Sequence, residues 1–239
     1  WDRALVYSLR RHGVDEGLLP NAEVLQRVRE ESHRRTAMHL LAQIGISEAF
    51  ECSTLNAIHD LIYKYNKVVA KAPWSSSGRG IRFLDDTLDE HTQGWLRNTL
   101  RHQGTVMIEP LYNKVMDFGM EFYRHPDGKV EYLGLSLFQT VNGAYTGNLL
   151  ATETVKRDIL SRYISLDDLD AFTSAACDYL GANLSYTGPF GIDMMALEGR
   201  RLALAEINLR RTMGHVALAI SPLDDDLRRV MHIETGNIY

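Results

Sequence analysis

The apolar positions of this chain change period along its length, and the changes mark out its elements. Over 22–44, Val24, Leu25, Val28, Ala37, Leu40, Leu41 and Ile44 recur at helical spacing, which predicts helix broken near Ser32 and stopped at Gly45. Leu55, Ile58, Leu61, Ile62 and Tyr65 predict a second helix over 54–65, with Ser53 as its N-cap. A strand at 67–72, a loop at 73–80, a short strand at 81–84 and a helix at 89–102 follow. Sheet then dominates. Residues 106–110 read as a strand, 117–124 and 129–139 as a hairpin through His125-Pro126-Asp127-Gly128, and 144–149 as a further strand. Helices are predicted at 159–163 and 166–180, the second opened by Ser165 and Asp168, and a last helix at 223–235.

Between these helices lies the segment with the clearest chemistry. Residues 192–197 and 202–207 read as strands joined by Glu198-Gly199-Arg200-Arg201, with a turn glycine in the middle. If Gly199 and Arg200 are the central turn residues, Glu198 pairs with Arg201 and Asp193 falls opposite Glu206, with Asn208 next on the same face. Alternation places Ile192, Met194, Ala196, Ala203, Ala205 and Ile207 on one face, and Met195, Leu197, Leu202 and Leu204 with the acids. Opposed carboxylates on a buried hairpin repel and call for neutralisation. A hard divalent cation with oxygen ligands would supply it, the Asn208 amide oxygen completing the set. The neighbouring Arg200, Arg201, Arg210 and Arg211 are the alternative partners.

Composition narrows the class. The chain has 239 residues, 45% hydrophobic and 24% charged, enough for one large or two small domains. A net charge of −5 without long single-sign runs gives no support for a nucleic-acid partner. Cys52 and Cys177 are too few for a disulfide framework, and no apolar run approaches the ~20 residues of a spanning helix, so a cytoplasmic protein without a membrane partner is expected. The chain opens at Trp1 inside a helical pattern, which suggests a part of a longer protein.

A second segment bears on anions. The strand Val68-Val69-Ala70-Lys71 leads through Ala72-Pro73-Trp74 into Ser75-Ser76-Ser77-Gly78-Arg79-Gly80. Backbone N–H groups, serine hydroxyls, Lys71 and Arg79 can hold phosphate there, although such a loop also serves as a plain turn. The P-loop pattern is absent, the kinase-like Val-Ala-Lys lacks a preceding glycine loop, and no G-x-G-x-x-G occurs.

Taken in order, strand-Lys, Ser/Gly loop, helix, strand-Glu-Pro, hairpin, Gly-x-Asp and Glu-x-Asn-x-Arg make the chain resemble the ATP-grasp superfamily over about residues 31–215. The resemblance implies an α+β fold of two lobes with ATP held between antiparallel sheets. It divides the chain into an N-terminal helical segment at 1–30, a small lobe at 31–105 and a large lobe at 106–239. An additional N-terminal domain is implied too, which residues 1–30 are too short to supply.

By the same resemblance, Lys71 contacts nucleotide phosphates, and Ser75, Ser76, Ser77, Gly78, Arg79 and Gly80 form a lid over them. Met107, Ile108, Glu109 and Pro110 correspond to the hinge strand that reads adenine, and Asp117 to the acid that holds the ribose. Arg34 stands where the family often has lysine near the α-phosphate, with His33 as its rival. Asp193, Glu206 and Asn208 match the magnesium ligands, with manganese as the alternative cation, and Arg210 matches the arginine at the transferred group. Tyr145, Gly147 and Asn148 are candidates for the acceptor site, or a strand and turn. His215 is expected to be structural. The implied activity is an ATP- and magnesium-dependent ligase that activates a small-molecule carboxylate as an acyl phosphate for attack by an amine or other nucleophile. A phosphotransferase or carboxylase-type enzyme, or a nucleotide-binding module without turnover, are the alternatives.

Overall fold

The computed structural model describes residues 1–46, 48–75, 80–141 and 144–232. Helix α1 (Arg3–Arg11) and a 3-10 turn (Glu16–Leu18) precede α2 (Ala22–Glu31) and α3 (Arg35–Gln43). Then come β1 (Phe50–Cys52), α4 (Leu55–Tyr65), β2 (Val68–Lys71), β3 (Ile81–Leu84), α5 (Glu90–Gln103) and β4 (Val106–Pro110). The second part holds β5 (Lys114–Arg124), β6 (Val130–Ser136), β7 (Phe138–Val141), β8 (Ala144–Leu150), α6 (Glu153–Ser161) and α7 (Leu166–Asn183). It closes with β9 (Gly188–Leu197), β10 (Arg201–Asn208), α8 (Met213–Ile220) and β11 (Arg229–His232).

Three antiparallel sheets result, in the orders β1-β4-β2-β3, β10-β9-β5-β6 and β11-β8-β7. Two apolar clusters organise them. In the first, Val68 and Ala70 of β2 and Val106 and Ile108 of β4 pack against Ile58, Ile62 and Leu96 of the covering helices. In the second, Phe118, Met120, Phe122, Ile192, Met194 and Ala196 meet α7 through Leu169, Phe172, Ala176 and Leu180, and α3 through Ala37, Leu40 and Leu41.

Two elements near the expected lobe boundaries pack across them. Helix α3, within the expected small lobe, buries its apolar stripe in the second cluster. Strand β4, expected to open the large lobe, is hydrogen-bonded between β1 and β2. Helical spacing shows which face is apolar but not which core receives it.

Other local readings are corrected as well. Thr54, not Ser53, caps α4, its hydroxyl accepting from the Ala57 N–H at 3.2 Å. Replacing Thr54 with alanine is expected to cost about 1 kcal/mol, measurable by denaturant unfolding. The 129–139 strand breaks after Ser136, and β7 joins the third sheet. Instead of a helix over 223–235, residues 229–232 form β11, paired with β8, and 233–239 lie outside the described residues. Among the described residues no helix is long and apolar enough to cross a membrane.

Candidate metal and nucleotide site

Asp193 does stand opposite Glu206, but by a different route from the one the turn suggests. Leu197 pairs with Arg201, which leaves a three-residue turn with Gly199 at φ 76° and Arg200 at φ 61°. Glu198 is drawn out of the ladder because its N–H bonds to the Asn113 carbonyl at 3.1 Å. Arg200 reaches the Ser161 and Ile164 carbonyls at 2.8 and 2.7 Å, closing the end of α6. Leu204 then pairs with Met194, and a bulge at Ala205 restores the register so that Glu206 meets Asp193. One consequence is a correction of faces. Leu202 and Leu204 join the core beside Ala196 and Met194, and Ala203, opposite Met195, lies on the face of the acids.

On that face the Asn208 side-chain N–H donates to Asp193 Oδ2 at 2.9 Å, and Arg210 donates to Asn208 Oδ1 at 3.1 Å. Burial, reinforced by the charges of Glu206 and Glu121, pushes the Asp193 carboxyl up to about 7, against the Asn208 hydrogen bond and Arg210. The arginine that meets Glu206 comes from the far end of the chain: Arg34, at 3.1 Å. Among the described residues no three His, Cys, Asp or Glu side chains gather as a metal cluster, so the candidate set is two carboxylates and one amide. Two apposed carboxylates, one of them raised by burial and by its neighbour's charge, with an amide oxygen as the third donor, fit a hard cation such as magnesium or manganese, which would relieve the repulsion.

Across from this face stands the first sheet. Val68 and Ala70 point into its core, so alternation turns Val69 and Lys71 to the cleft, with Met107 and Glu109 beside them. Ile108, fully buried, faces the core instead. Lys71 is 5% exposed; its Nζ donates to Glu109 at 2.7 Å and to the carbonyl of Ala205, the bulge residue, at 3.2 Å. Arg34 also donates to the Ala72 carbonyl at 3.1 Å and to Ser75 Oγ at 3.2 Å, tying the loop's first residues to Glu206. His33 points elsewhere, its ring 4.6 Å from that of Trp74, and burial with nearby arginines lowers its pKa to about 4. Of the rivals, Arg34 faces the acids. Ser76, Ser77, Gly78 and Arg79 lie outside the described residues.

Asp117 shares the acid face through its pairing with Met195, and accepts from Lys114 at 2.6 Å and Thr140 at 3.1 Å. Pro110 ends β4, and a cavity of about 620 Å³ opens beside it where Glu109 and Tyr112 approach Ala203 and Leu204. It runs on toward Leu41 and Phe172 under the edge strand, away from Asp193. Of the acceptor candidates, Tyr145 and Asn148 are hydrogen-bonded to each other. Asn148 is buried, donating to Ser136 Oγ at 2.6 Å and accepting from Tyr145. Gly147 serves packing, since a Cβ there would lie 2.1 Å from the Met231 carbonyl of β11.

A further carboxylate, with no motif around it in the sequence, lies on the same face. Glu121, 2% exposed, sits on the acid face opposite Gly191, while Gly119 lies opposite Asp193. A Cβ at Gly119, Gly191 or Gly214 would come within 3.0, 2.8 or 1.8 Å of a Glu121 oxygen. A lone glutamate in an apolar strand was the available signal, but the third glycine is distant in sequence. Gly214→Ala is expected to destabilise the chain by about 2 kcal/mol in denaturant titration, because the methyl displaces a carboxylate with nowhere to go. An unchanged midpoint would mean that this packing is loose.

No protein-family model matches the sequence, and no curated protein matches it. Solved structures do match in fold. The N5-carboxyaminoimidazole synthetase of Staphylococcus aureus, solved with ADP, has a TM-score of 0.57 at 12% identity, covering 77% of this chain and 46% of its own. The biotin carboxylase domain of Hydrogenobacter thermophilus 2-oxoglutarate carboxylase, solved with MgADP, ADP and bicarbonate, gives 0.64 at 13% identity, over 93% of this chain and 48% of its own. Campylobacter jejuni biotin carboxylase, as a beta-gamma-ATP complex, gives 0.61 at 14% identity, over 79% and 42%. The chain therefore spans less than half the length of these three structures. At such identities the likeness speaks to architecture alone, and on that architecture the chain has the ATP-grasp fold.

Proposed function

We propose that this chain binds ATP with a divalent cation between its two facing sheets and activates a small-molecule carboxylate as an acyl phosphate, which an amine or other nucleophile then attacks. The observation that carries this reading is the opposition of Asp193 to Glu206, with Asn208 and Arg210 following and Lys71 and Arg34 facing them. Asp193, Glu206 and Asn208 would hold the cation. When bound, it would neutralise phosphate charge and polarise the group being transferred.

The chain's own cations do the rest. Lys71, from the first sheet, and Arg34, from the start of α3, converge on β10, so nucleotide phosphates entering there would take over two cations now held by protein oxygens. Arg210 extends the set toward the transferred group, where charge builds in the transition state. Met107 and Glu109 on the cleft side of the first sheet, with Ile108 between them and Pro110 at the strand end, are assigned to the base. Asp117 is assigned to the ribose, and Ser75 to Gly80 to the phosphates.

Bicarbonate in a solved relative favours a second reading, a carboxylase-type reaction in which bicarbonate is the activated acid. Small-molecule substrates are proposed in either case, and free Cys52 and Cys177 support a cytoplasmic setting. The test is MgATP binding by calorimetry, followed by an ADP-release screen of the full-length protein against pooled carboxylates, amines and bicarbonate. New amide and carboxylated products separate the two readings; saturable binding with no ADP across the screen would leave a binding module only. Lys71→Met is expected to weaken MgATP binding by at least about tenfold, as a buried charge-assisted contact is lost. Wild-type affinity in that variant would remove Lys71 from the site.

A further inference from the structure

We infer that Glu121 is a positioning residue which, through Thr212 and His215, holds Arg210 at the cation site; this rests on the function proposed above. The Glu121 carboxylate accepts from the Thr212 hydroxyl at 2.6 Å and lies 2.9 Å from His215 Nδ1. The Glu121 and His215 side chains are only 3% and 4% exposed. His215 Nε2 lies 3.2 Å from the Phe122 carbonyl, which only accepts, so the ring is pinned from both sides. Three glycines clear the volume that this carboxylate fills.

A buried carboxylate is costly, and a leucine or methionine would fill similar volume without that cost. What the glutamate adds is a directed bond to Thr212. Thr212 caps α8, its hydroxyl serving the His215 N–H, and ends the short connection from Asn208. At the start of that connection, Asn208 is held by its pairing with Gly191 and its bond to Asp193. Leu209 is buried in the core, and the Arg210 N–H turns back to the Asn208 carbonyl at 2.8 Å. With both ends of the connection anchored, the Arg210 guanidinium is directed to Asn208 Oδ1 and the carboxylates behind it. Glu121 thus acts on the transferred group through Arg210, without touching it.

The test uses the full-length protein with Glu121→Gln, Arg210→Ala, the double variant and Thr212→Val, each checked for cooperative unfolding. In nucleotide-free protein, the Arg210 Nε–Hε order parameter, assigned by its loss in Arg210→Lys, is expected to drop below ~0.6 in Glu121→Gln and Thr212→Val. Thr212→Ser, which keeps the hydroxyl, is expected to restore it. By calorimetry, Glu121→Gln and Arg210→Ala are each expected to lower the preference for MgATP over MgADP about tenfold, and the double variant no further. A purely structural role gives losses that multiply. Unchanged Arg210 order in folded Glu121→Gln and Thr212→Val, or multiplied losses in the double variant, would overturn the inference. A wild-type protein that binds neither nucleotide would instead sink the proposed function, and the order parameter would then decide the role of Glu121 alone.

Discussion

Glu206→Ala is expected to lower magnesium-dependent ADP release by at least about 100-fold, since metal stabilisation of transferring phosphate is worth several kcal/mol. Two losses coincide at this position. One of the two carboxylates of the candidate cation set disappears, and Arg34, 9% exposed, loses the partner it meets at 3.1 Å. An unpaired buried guanidinium is itself destabilising, so thermal unfolding must accompany the rate measurement. Glu206→Gln separates the effects: it keeps a hydrogen-bond acceptor for Arg34 but weakens the ligand. A folded Glu206→Ala protein that released ADP at the wild-type rate with wild-type magnesium dependence would end the metal assignment.

Asp193→Asn is expected to stabilise the metal-free protein while abolishing tight cation binding. The sign follows from protons. Burial and the charges of Glu206 and Glu121 hold the folded Asp193 carboxyl up at about 7, well above the ordinary 3.8, so between those values the folded state binds more protons than the unfolded. Stability is then lost as pH rises through that window and stays lost above about 7. The full shift corresponds to about 4 kcal/mol; water reaching a partly exposed carboxylate reduces the expected gain to about 2 kcal/mol. Denaturant midpoints of wild type and Asp193→Asn should therefore converge near pH 4 and separate above pH 7, in metal-free buffer. Magnesium should close the gap at high pH by stabilising wild type alone. Parallel curves across the pH range would show that Asp193 carries no such penalty.

Local chemistry made much of the site legible. Turn residues and alternation placed Asp193 opposite Glu206, and Lys71 at the end of a strand, because pairing in a hairpin depends on near neighbours. The turn itself differs by one residue from that local expectation, with Leu197 and not Glu198 paired to Arg201. The bond from Glu198 to Asn113 and the reach of Arg200 to α6 pull that turn open, and both partners lie far away in sequence. The bulge at Ala205 cancels that difference before it reaches Glu206, so the opposition held although Leu202 and Leu204 changed faces. The 223–235 helix failed for a related reason: residues 229–232 take the free edge of β8, and edge pairing is a tertiary opportunity.

What the sequence determined by itself was most of the order of elements before residue 221, the apolar stripes of the helices and the carboxylate pair with its downstream amide and arginine. All of these depend on residues a few positions apart, whose spacing sets the helical faces and brings the two carboxylates together once the bulge at Ala205 offsets the turn. Only the tertiary structure decided that Arg34 meets Glu206, that Lys71 crosses to Ala205, that α3 belongs to the second core, and that two distant glycines, Gly191 and Gly214, make room for Glu121. Such contacts join segments from different parts of the chain. They form because packing brings together groups that no local period relates.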